Sequence, residues 1–254
     1  MADTTQELIQ AFLYIIAVWL SSVAVTMLFD RVAPFKRRPV SFTSPRREAI
    51  LGLCLIPLSV CLMMLFRFAF ASVLSGMAQS ETYSLEMMFW VLIVRGIFIA
   101  PFVIALLIRH QGLATMGLSR HNLVLSVFLG LILSGVTVVT YALVFSKVIV
   151  IDSELLSSYL YFFVTSLLAV GFVEEAMFRG YLQLRLAAWL GARRGWILTA
   201  IVFTVLHAGQ SITGLVSVFI TGLVFGWIMK KSENIVGLSL WHGFMDWVWI
   251  LYKP

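Results

Sequence analysis

The sequence has few charged residues and very few cysteines. Only 12% of its 254 residues are Asp, Glu, Lys or Arg, whereas about a quarter is usual in a soluble domain. Long apolar runs take their place, since 61% of the residues are hydrophobic. The two cysteines, Cys54 and Cys61, lie in one apolar run without a partner motif, so we expect packing residues. This composition excludes an ordinary soluble domain and indicates an all-α polytopic membrane protein.

Two common hydrolase signatures are also missing. The sequence has neither the Gly-x-Ser-x-Gly elbow of serine hydrolases nor the His-Glu-x-x-His helix of zinc proteases. Its net charge of +6 does not indicate nucleic-acid binding, because the basic residues are concentrated in short segments between apolar runs. Membrane lipid is the expected partner of the surface, and no nucleic acid is expected.

The apolar runs predict about eight transmembrane helices in one bundle around an intramembrane cavity. At roughly 20 residues per span, little of the chain is left for a separate soluble domain, so residues 1–254 are expected to form one membrane domain. The predicted spans are Leu8–Phe29, Ala49–Leu74, Met87–Ile108, Asn122–Val148, Ser157–Leu184, Trp196–Ala208, Ile212–Met229 and Ile235–Leu251.

The basic residues predict the orientation of these spans. If the spans cross alternately, most Lys and Arg residues fall on one side, which the positive-inside rule makes cytoplasmic. Both termini are therefore expected outside a bacterial or archaeal cell membrane. The cytoplasmic set is Arg31, Lys36, Arg37, Arg38, Arg46, Arg47, Arg109, Arg120, Arg185, Arg193, Arg194, Lys230 and Lys231. The outer set is Asp3, Glu7, Glu81, Glu86, Asp152 and Glu154, with Lys147 and Lys253.

Ionisable residues inside three apolar segments near the C-terminus are the most informative feature. Each costs about 2.5–3.5 kcal/mol at the centre of a bilayer even on lenient insertion scales, so such residues indicate a function. The three groups are Glu174-Glu175-x-x-x-Arg179, Phe203-x-x-x-His207 and His242-x-x-x-Asp246.

Helix geometry brings these groups to one level of the membrane. A rise of about 1.5 Å per residue gives depths of about 15 Å for Glu174, about 16 Å for His207, about 13 Å for His242 and about 19 Å for Asp246. This agreement predicts one shared site. The polar turn 209–214 follows His207 directly, and such a turn at membrane depth is tolerated only in protein or beside a watery cavity.

Spacing within the helices suggests how the groups are divided. Glu175 and Arg179 are four apart, which predicts an ion pair within one helix, while Glu174 projects about 100° away. His242 and Asp246 are also four apart and share a face. Three interpretations stay open at this point: a proton relay for transport, hydrolysis through a carboxylate-activated water, and polar contacts that hold the helices together.

Two further arginines lie within predicted spans. Arg67 and Arg95 are expected to pair with Glu81 and Glu86 near the outer face, and the alternative is that they line an access path. His110 and His121 are expected to be solvated, because they lie in a loop beside arginines.

In the three ionisable groups the chain resembles the CPBP family, the CAAX-protease and bacteriocin-processing (Abi-type) intramembrane proteases. The resemblance covers about Val164–Trp249 as a catalytic core and includes Gly180-Tyr181 after the first motif. The motifs, in order, are Glu174-Glu175-Ala176-Met177-Phe178-Arg179, Phe203-Thr204-Val205-Leu206-His207 and His242-Gly243-Phe244-Met245-Asp246.

The resemblance implies an eight-helix endopeptidase whose cavity opens toward the membrane and the cytoplasm. Glu174 would activate the hydrolytic water with help from His207, and the third motif would form an oxyanion site. The implied residues are Glu174, His207, His242 and Asp246 for catalysis and Glu175 and Arg179 for support. The implied substrates are membrane-embedded or membrane-delivered peptides: prenylated tails, bacteriocin-type leaders or hydrophobic sorting signals.

The cofactor and the rival functions follow from the same residues. No cofactor is expected, and zinc is the alternative, with His207, His242 and Asp246 as its ligands. Asp246 stands where the eukaryotic CAAX enzymes carry Asn, so it is expected to be protonated or to orient His242. The rival functions are a non-catalytic peptide-binding or bacteriocin-immunity protein of the same fold and a proton-coupled transporter.

Overall fold

Helices account for nearly all of the described chain. The computed structural model of the protein describes residues 2–37, 40–78, 82–145 and 153–251, and no strand occurs among them. The all-α class is therefore confirmed. The helices are α1 (Ala2–Val32), α2 (Pro45–Ala69), α3 (Ala71–Ala78), α4 (Leu85–Ile108), α5 (Leu123–Phe145), α6 (Leu156–Leu190), α7 (Ala192–Val205), α8 (Ile212–Ser232) and α9 (Val236–Leu251).

Six of these helices are long and apolar enough to cross a membrane: α1, α2, α4, α5, α6 and α8. The polytopic prediction is confirmed, but the predicted number of about eight spans is not. Of the three shorter helices, α7 with 14 residues and α9 with 16 correspond to the predicted spans that carry His207 and His242. Residues 146–148 of the predicted fourth span lie outside the described residues, as do Glu81, Asp152, Lys147 and Lys253.

The outer surface of the bundle is apolar. Leu20, Leu107 and Leu143 are each more than half exposed, as expected for side chains that face lipid rather than water. The interior instead contains tightly packed aromatic residues, including Phe102 against Tyr181 with ring centroids 5.0 Å apart. The polarity of the surface thus agrees with a membrane location.

Close helix contacts at glycine hold α9 between α5 and α6. A Cβ atom added at Gly237 would come 1.8 Å from the carbonyl oxygen of Ser126 in α5. One added at Gly243 would come 2.5 Å from the carbonyl oxygen of Ser166 in α6. Small residues allow this approach of the backbones, which is how helices pack closely in membranes. The contact at Gly243 sets the distance between His242 and α6.

An ion cluster joins α2, α4 and α6 at one end of the bundle, and we name it the anchor cluster (Glu48, Arg109, Gln111 and Arg185). Arg109 binds Glu48 at 2.6 Å, and Arg185 Nε lies 3.5 Å from the same carboxylate. Arg185 also donates to Gln111 and, at 2.9 Å, to the carbonyl oxygen of Thr115. The sequence placed Arg185 in a loop; the structure instead buries it completely in the last turns of α6.

Candidate functional site

Helix α6 carries the first motif in an unusual local geometry. Residues Ser166–Phe172 and Ala176–Gln183 are π-helical and flank the single α-helical stretch Val173–Glu175. A π-helix has a wider turn than an α-helix and occurs preferentially at functional sites. Glu174 and Glu175, in the stretch between the two π-helical segments, are both buried inside the bundle.

Glu175 is the centre of a buried network. Its Oε1 lies 3.1 Å from Arg179 Nη1, so the structure contains the expected ion pair within the helix. The same oxygen accepts a hydrogen bond from His242 Nδ1 at 2.8 Å, which the sequence did not predict. Arg179 also lies over the ring of Phe203, 4.3 Å from its centroid. Glu175 therefore connects the first motif to the third.

Glu174 pairs with a residue of another helix. Arg95 Nη1 in the middle of α4 donates to Glu174 Oε1 at 3.0 Å. Arg95 thus pairs with Glu174 and not with Glu86, because α4 turns it toward the interior, where it lines a cavity as the alternative of an access path implied. Glu81, the other expected partner, lies outside the described residues. Among the described residues, Arg67 makes no ion pair and is exposed on α2.

His207 lies just beyond a helix rather than inside one. The predicted span ran to Ala208, but α7 ends at Val205 and His207 falls in the following turn. Its Nδ1 lies 2.8 Å from the carbonyl oxygen of Phe203. Because a carbonyl oxygen only accepts, Nδ1 carries the proton, and Nε2 is the acceptor of the neutral ring.

The two residues of the third motif share one face of α9, as predicted. His242 Nε2 lies 3.9 Å from Asp246 Oδ2, which is within ion-pair range and too long for a hydrogen bond. The side chain of Asp246 is 39% exposed, whereas that of His242 is 7% exposed. His242 is thus held from one side by Glu175 and faces Asp246 on the other.

One cavity of about 880 Å³ brings the predicted catalytic residues together. Its walls come from α1, α4, α6, α7, α8 and α9, and the polar turn after His207 lines it as the sequence indicated. Glu175 and Arg179 lie behind this wall and do not line the cavity. The basic, acidic and histidine residues that line it are Arg95, Glu174, His207, His242 and Asp246.

The arrangement does not form a compact metal site. Among the described residues, no three His, Cys, Asp or Glu side chains are grouped so that they could hold a metal ion. The alternative zinc ligands His207, His242 and Asp246 border the same cavity, and His242 Nδ1 is already bonded to Glu175. We therefore derive no step through a metal.

Arg95 is the site residue that sequence reasoning missed. A signal existed, because Arg95 lies near the middle of α4, about 20 Å from its last residue at a rise of about 1.5 Å per residue. That depth is close to the level calculated for the three motifs. The depth argument, applied to every ionisable residue in an apolar span, would have included it.

The comparisons with known proteins agree with the motifs. Residues 156–248 match the sequence model of a family described as Type II CAAX prenyl endopeptidase Rce1-like. The match confirms the predicted resemblance, and all three motifs lie within the matched range. No curated protein and no solved structure matches the chain significantly. Arg95 and α1, which also border the cavity, lie outside the matched residues.

Proposed function

We propose that this protein is an intramembrane endopeptidase that hydrolyses peptide bonds in membrane-embedded or membrane-delivered substrates. The observation that carries the proposal is the convergence of Glu174, His207, His242 and Asp246 on one cavity inside an apolar bundle. The match to a prenyl endopeptidase family supports peptide hydrolysis over proton transport. The substrate class stays at the level of a membrane-borne peptide.

Glu174 is the proposed general base. Arg95 binds one carboxylate oxygen, Oε1, which keeps the carboxylate oriented and leaves Oε2 for a water molecule. In the reaction Glu174 removes a proton from the water as its oxygen bonds to the substrate carbonyl carbon. The same carboxyl group then gives the proton to the leaving amine as the peptide bond breaks, so protons and charge balance.

His207 is the proposed partner of the water. With its Nδ1 proton donated to the carbonyl oxygen of Phe203, the neutral ring offers the Nε2 lone pair to a water hydrogen. One hydrogen of the water would then point to His207 and the other to Glu174. This geometry fixes the direction of the attacking oxygen lone pair.

His242 is the proposed oxyanion donor, and charge balance explains the role of Asp246. Glu174 is paired with Arg95 and Glu175 with Arg179, which leaves Asp246 near His242. An aspartate and an imidazolium complete a third pair, so the cluster carries no net charge. His242 then donates from Nε2 to the developing oxyanion. Asp246 then balances the charge of the imidazolium, while its carboxylate, 3.9 Å from Nε2, leaves the Nε2 proton to the oxyanion.

We further assign the hydrolysis to glutamate chemistry without a resident metal. The support is the donor set, since the described residues contain no group of three potential ligands. Purified protein should contain less than stoichiometric zinc, and its activity should survive chelation. Stoichiometric zinc, with activity lost on chelation and restored by zinc, would overturn the assignment.

The proposed orientation places both termini outside. Basic residues of the first and seventh loops meet at one end of the bundle, where Lys231 pairs with Asp30 and Arg37 lies 3.9 Å from Glu233. This end is cytoplasmic by the positive-inside rule. A cysteine placed at Ala2 should react with an impermeant thiol reagent added to intact cells, and protection from that reagent would refute the orientation.

Mapping of polypeptide ends tests the proposed function. Membrane fractions from cells with wild-type protein should contain N- and C-terminal peptides that are absent with Glu174→Gln. The matched control is Glu86→Gln, because Glu86 is an exposed residue of α4 that does not line the cavity. Identical peptide maps from wild type and Glu174→Gln, with both proteins folded and expressed, would contradict the proposal.

A further inference from the structure

The cavity extends away from the catalytic residues as a cleft between α1 and α8. The α1 wall is mostly apolar, with Phe12, Leu13 and Val18, and also carries Tyr14 and Trp19. The α8 wall is rich in hydroxyl groups, with Thr213, Ser217 and Thr221 spaced four apart on one face of the helix. One wall can therefore contact apolar side chains while the opposite wall offers hydrogen-bonding groups.

Among the described residues, the cleft is closed at one end and open at the other. Trp19 Nε1 donates to Thr221 Oγ1 at 3.1 Å and joins the two walls. One turn of α8 after Thr221, toward the C-terminal end of that helix, Phe225 is completely buried. Toward the start of α1 the lining residues Ile9 and Phe12 are more than half exposed. The opening is thus at the end where α1 begins.

Helices α1 and α8 run in the same direction, which relates this opening to the ends of the bundle. The contact between Trp19 and Thr221 is followed about two to three turns later by the ion pair of Asp30 with Lys231. The basic loops therefore lie beyond the closed end. The open part, from Trp19 back to Ile9, measures about 15 Å at about 1.5 Å per residue.

We propose that the cleft between α1 and α8 receives the substrate as an extended peptide segment that enters from the outer side of the membrane. This inference rests on the proposed function. It differs from the direction that the family resemblance implies, which is toward the cytoplasm. The wall that selects the substrate is α1, a helix outside the residues that match the family.

The composition of the two walls favours an extended peptide over other occupants. A transmembrane helix or a lipid chain needs no hydrogen-bond partners, because a helix satisfies its own backbone and a lipid chain has no polar groups. An extended segment exposes N–H and C=O groups that cost several kcal/mol each if they are unpaired in a bilayer. Thr213 and Ser217 lie where they can pair with such groups on the way to Glu174. The cleft therefore fits a segment that has already unwound.

Thiol labelling of single-cysteine variants tests the opening without reference to proteolysis. The background carries Cys54→Ser, Cys61→Ser and Glu174→Gln. Ser217→Cys places the thiol in the cleft, and Val216→Cys, on the exposed face of the same helix outside the cavity, is the matched control.

An impermeant methanethiosulfonate added to intact cells should label Ser217→Cys at least about tenfold faster than Val216→Cys, because the reacting thiolate forms in water and not in lipid. Equal rates would overturn the proposal, since they would indicate a cleft filled by lipid or protein. Labelling of Ser217→Cys only in inside-out vesicles would also overturn it, because the cleft would then open to the cytoplasm.

A second measurement asks whether the cleft carries substrate. In the protein that retains Glu174, labelled Ser217→Cys should lose at least about 90% of the accumulation of new polypeptide ends relative to the same variant before labelling, because the added group blocks access. For Val216→Cys, labelling should leave the rate at which new polypeptide ends accumulate unchanged. Unchanged proteolysis after labelling of Ser217→Cys would overturn the proposal. Absence of new ends already with wild type would instead contradict the proposed function.

Discussion

Two clusters of buried charges lie along helix α6, and one of them lines the cavity between α1, α4 and α6–α9. The anchor cluster holds Arg185 with no exposed surface beside Glu48, while its second arginine, Arg109, is 47% exposed. In the site, Arg95 is 28% exposed beside Glu174. In each cluster a buried glutamate of one helix pairs with an arginine of another element. Both clusters are charged, but the cluster around Glu174 lines the cavity. A substrate in the cavity can therefore contact Glu174.

The same comparison explains the different roles of Glu174 and Glu175 within the site. Glu175 is completely buried and binds both Arg179 and His242, so it resembles Glu48 in the anchor cluster. Glu174, one residue earlier, lines the cavity. The two adjacent carboxylates of the first motif thus lie on opposite sides of the cavity wall. Glu175 has a structural role, whereas Glu174 is available to water.

The largest predicted effect is an opposite outcome for one substitution in the two clusters. Glu48→Gln should lower the free energy of unfolding by about 3–5 kcal/mol, because Arg185 stays buried without its carboxylate. Glu174→Gln, beside the partly exposed Arg95, should change it by less than about 1 kcal/mol while it stops proteolysis. Thermal unfolding in detergent measures the first quantity. Equal destabilisation by both substitutions would show that Glu48 and Glu174 do not differ in their contribution to stability.

Arg95→Gln should reduce proteolysis by about 10²-fold, because Glu174 would lose the cation that orients its carboxylate. Arg67→Gln is the control, since Arg67 lies exposed in α2 and makes no ion pair among the described residues. The rate at which the new polypeptide ends accumulate measures the effect. Arg95→Lys should recover part of the rate. Equal rates for Arg95→Gln and Arg67→Gln would show that the pair has no role in the reaction.

Gly171→Ala should separate α6 from α9 and weaken the site through its geometry. The added Cβ would come 2.2 Å from the carbonyl oxygen of Ser239, so the backbones must move apart, at a cost of about 1–3 kcal/mol in unfolding free energy. Gly96→Ala, where no atom lies within 4 Å of the added Cβ, should change stability by less than about 0.5 kcal/mol. Comparable unfolding midpoints for the two variants would exclude the close contact.

The smallest predicted effect is the coupling between Glu175 and His242. A double-mutant cycle of Glu175→Gln and His242→Asn should give an interaction free energy of about 0.5–3 kcal/mol in stability. Glu175→Gln removes the charge of the acceptor in the 2.8 Å bond, and His242→Asn removes the ring that donates to it. Thermal or denaturant unfolding of the four proteins supplies the cycle. Additive effects would indicate that the two side chains stabilise the fold independently.

Much of the fold could be predicted because span length and apolarity are local properties of the chain. The predicted start at Ile212 agrees with α8, and the predicted end at Ile108 agrees with α4. The end of α7 was predicted three residues too late, because Leu206 and Ala208 continue the apolar composition while the backbone has already turned. Composition does not report the hydrogen bonds that end a helix.

The sequence by itself determined the depth of the site along the helices, because the rise per residue converts position in a helix into depth. The four residues for which that depth was calculated line one cavity: Glu174, His207, His242 and Asp246. Only the tertiary structure decided their partners. The rotation of α4 brings Arg95 to Glu174, and the close glycine contacts of α9 bring His242 to Glu175. Depth follows from each helix alone, whereas partner choice depends on how helices rotate and how closely their backbones approach.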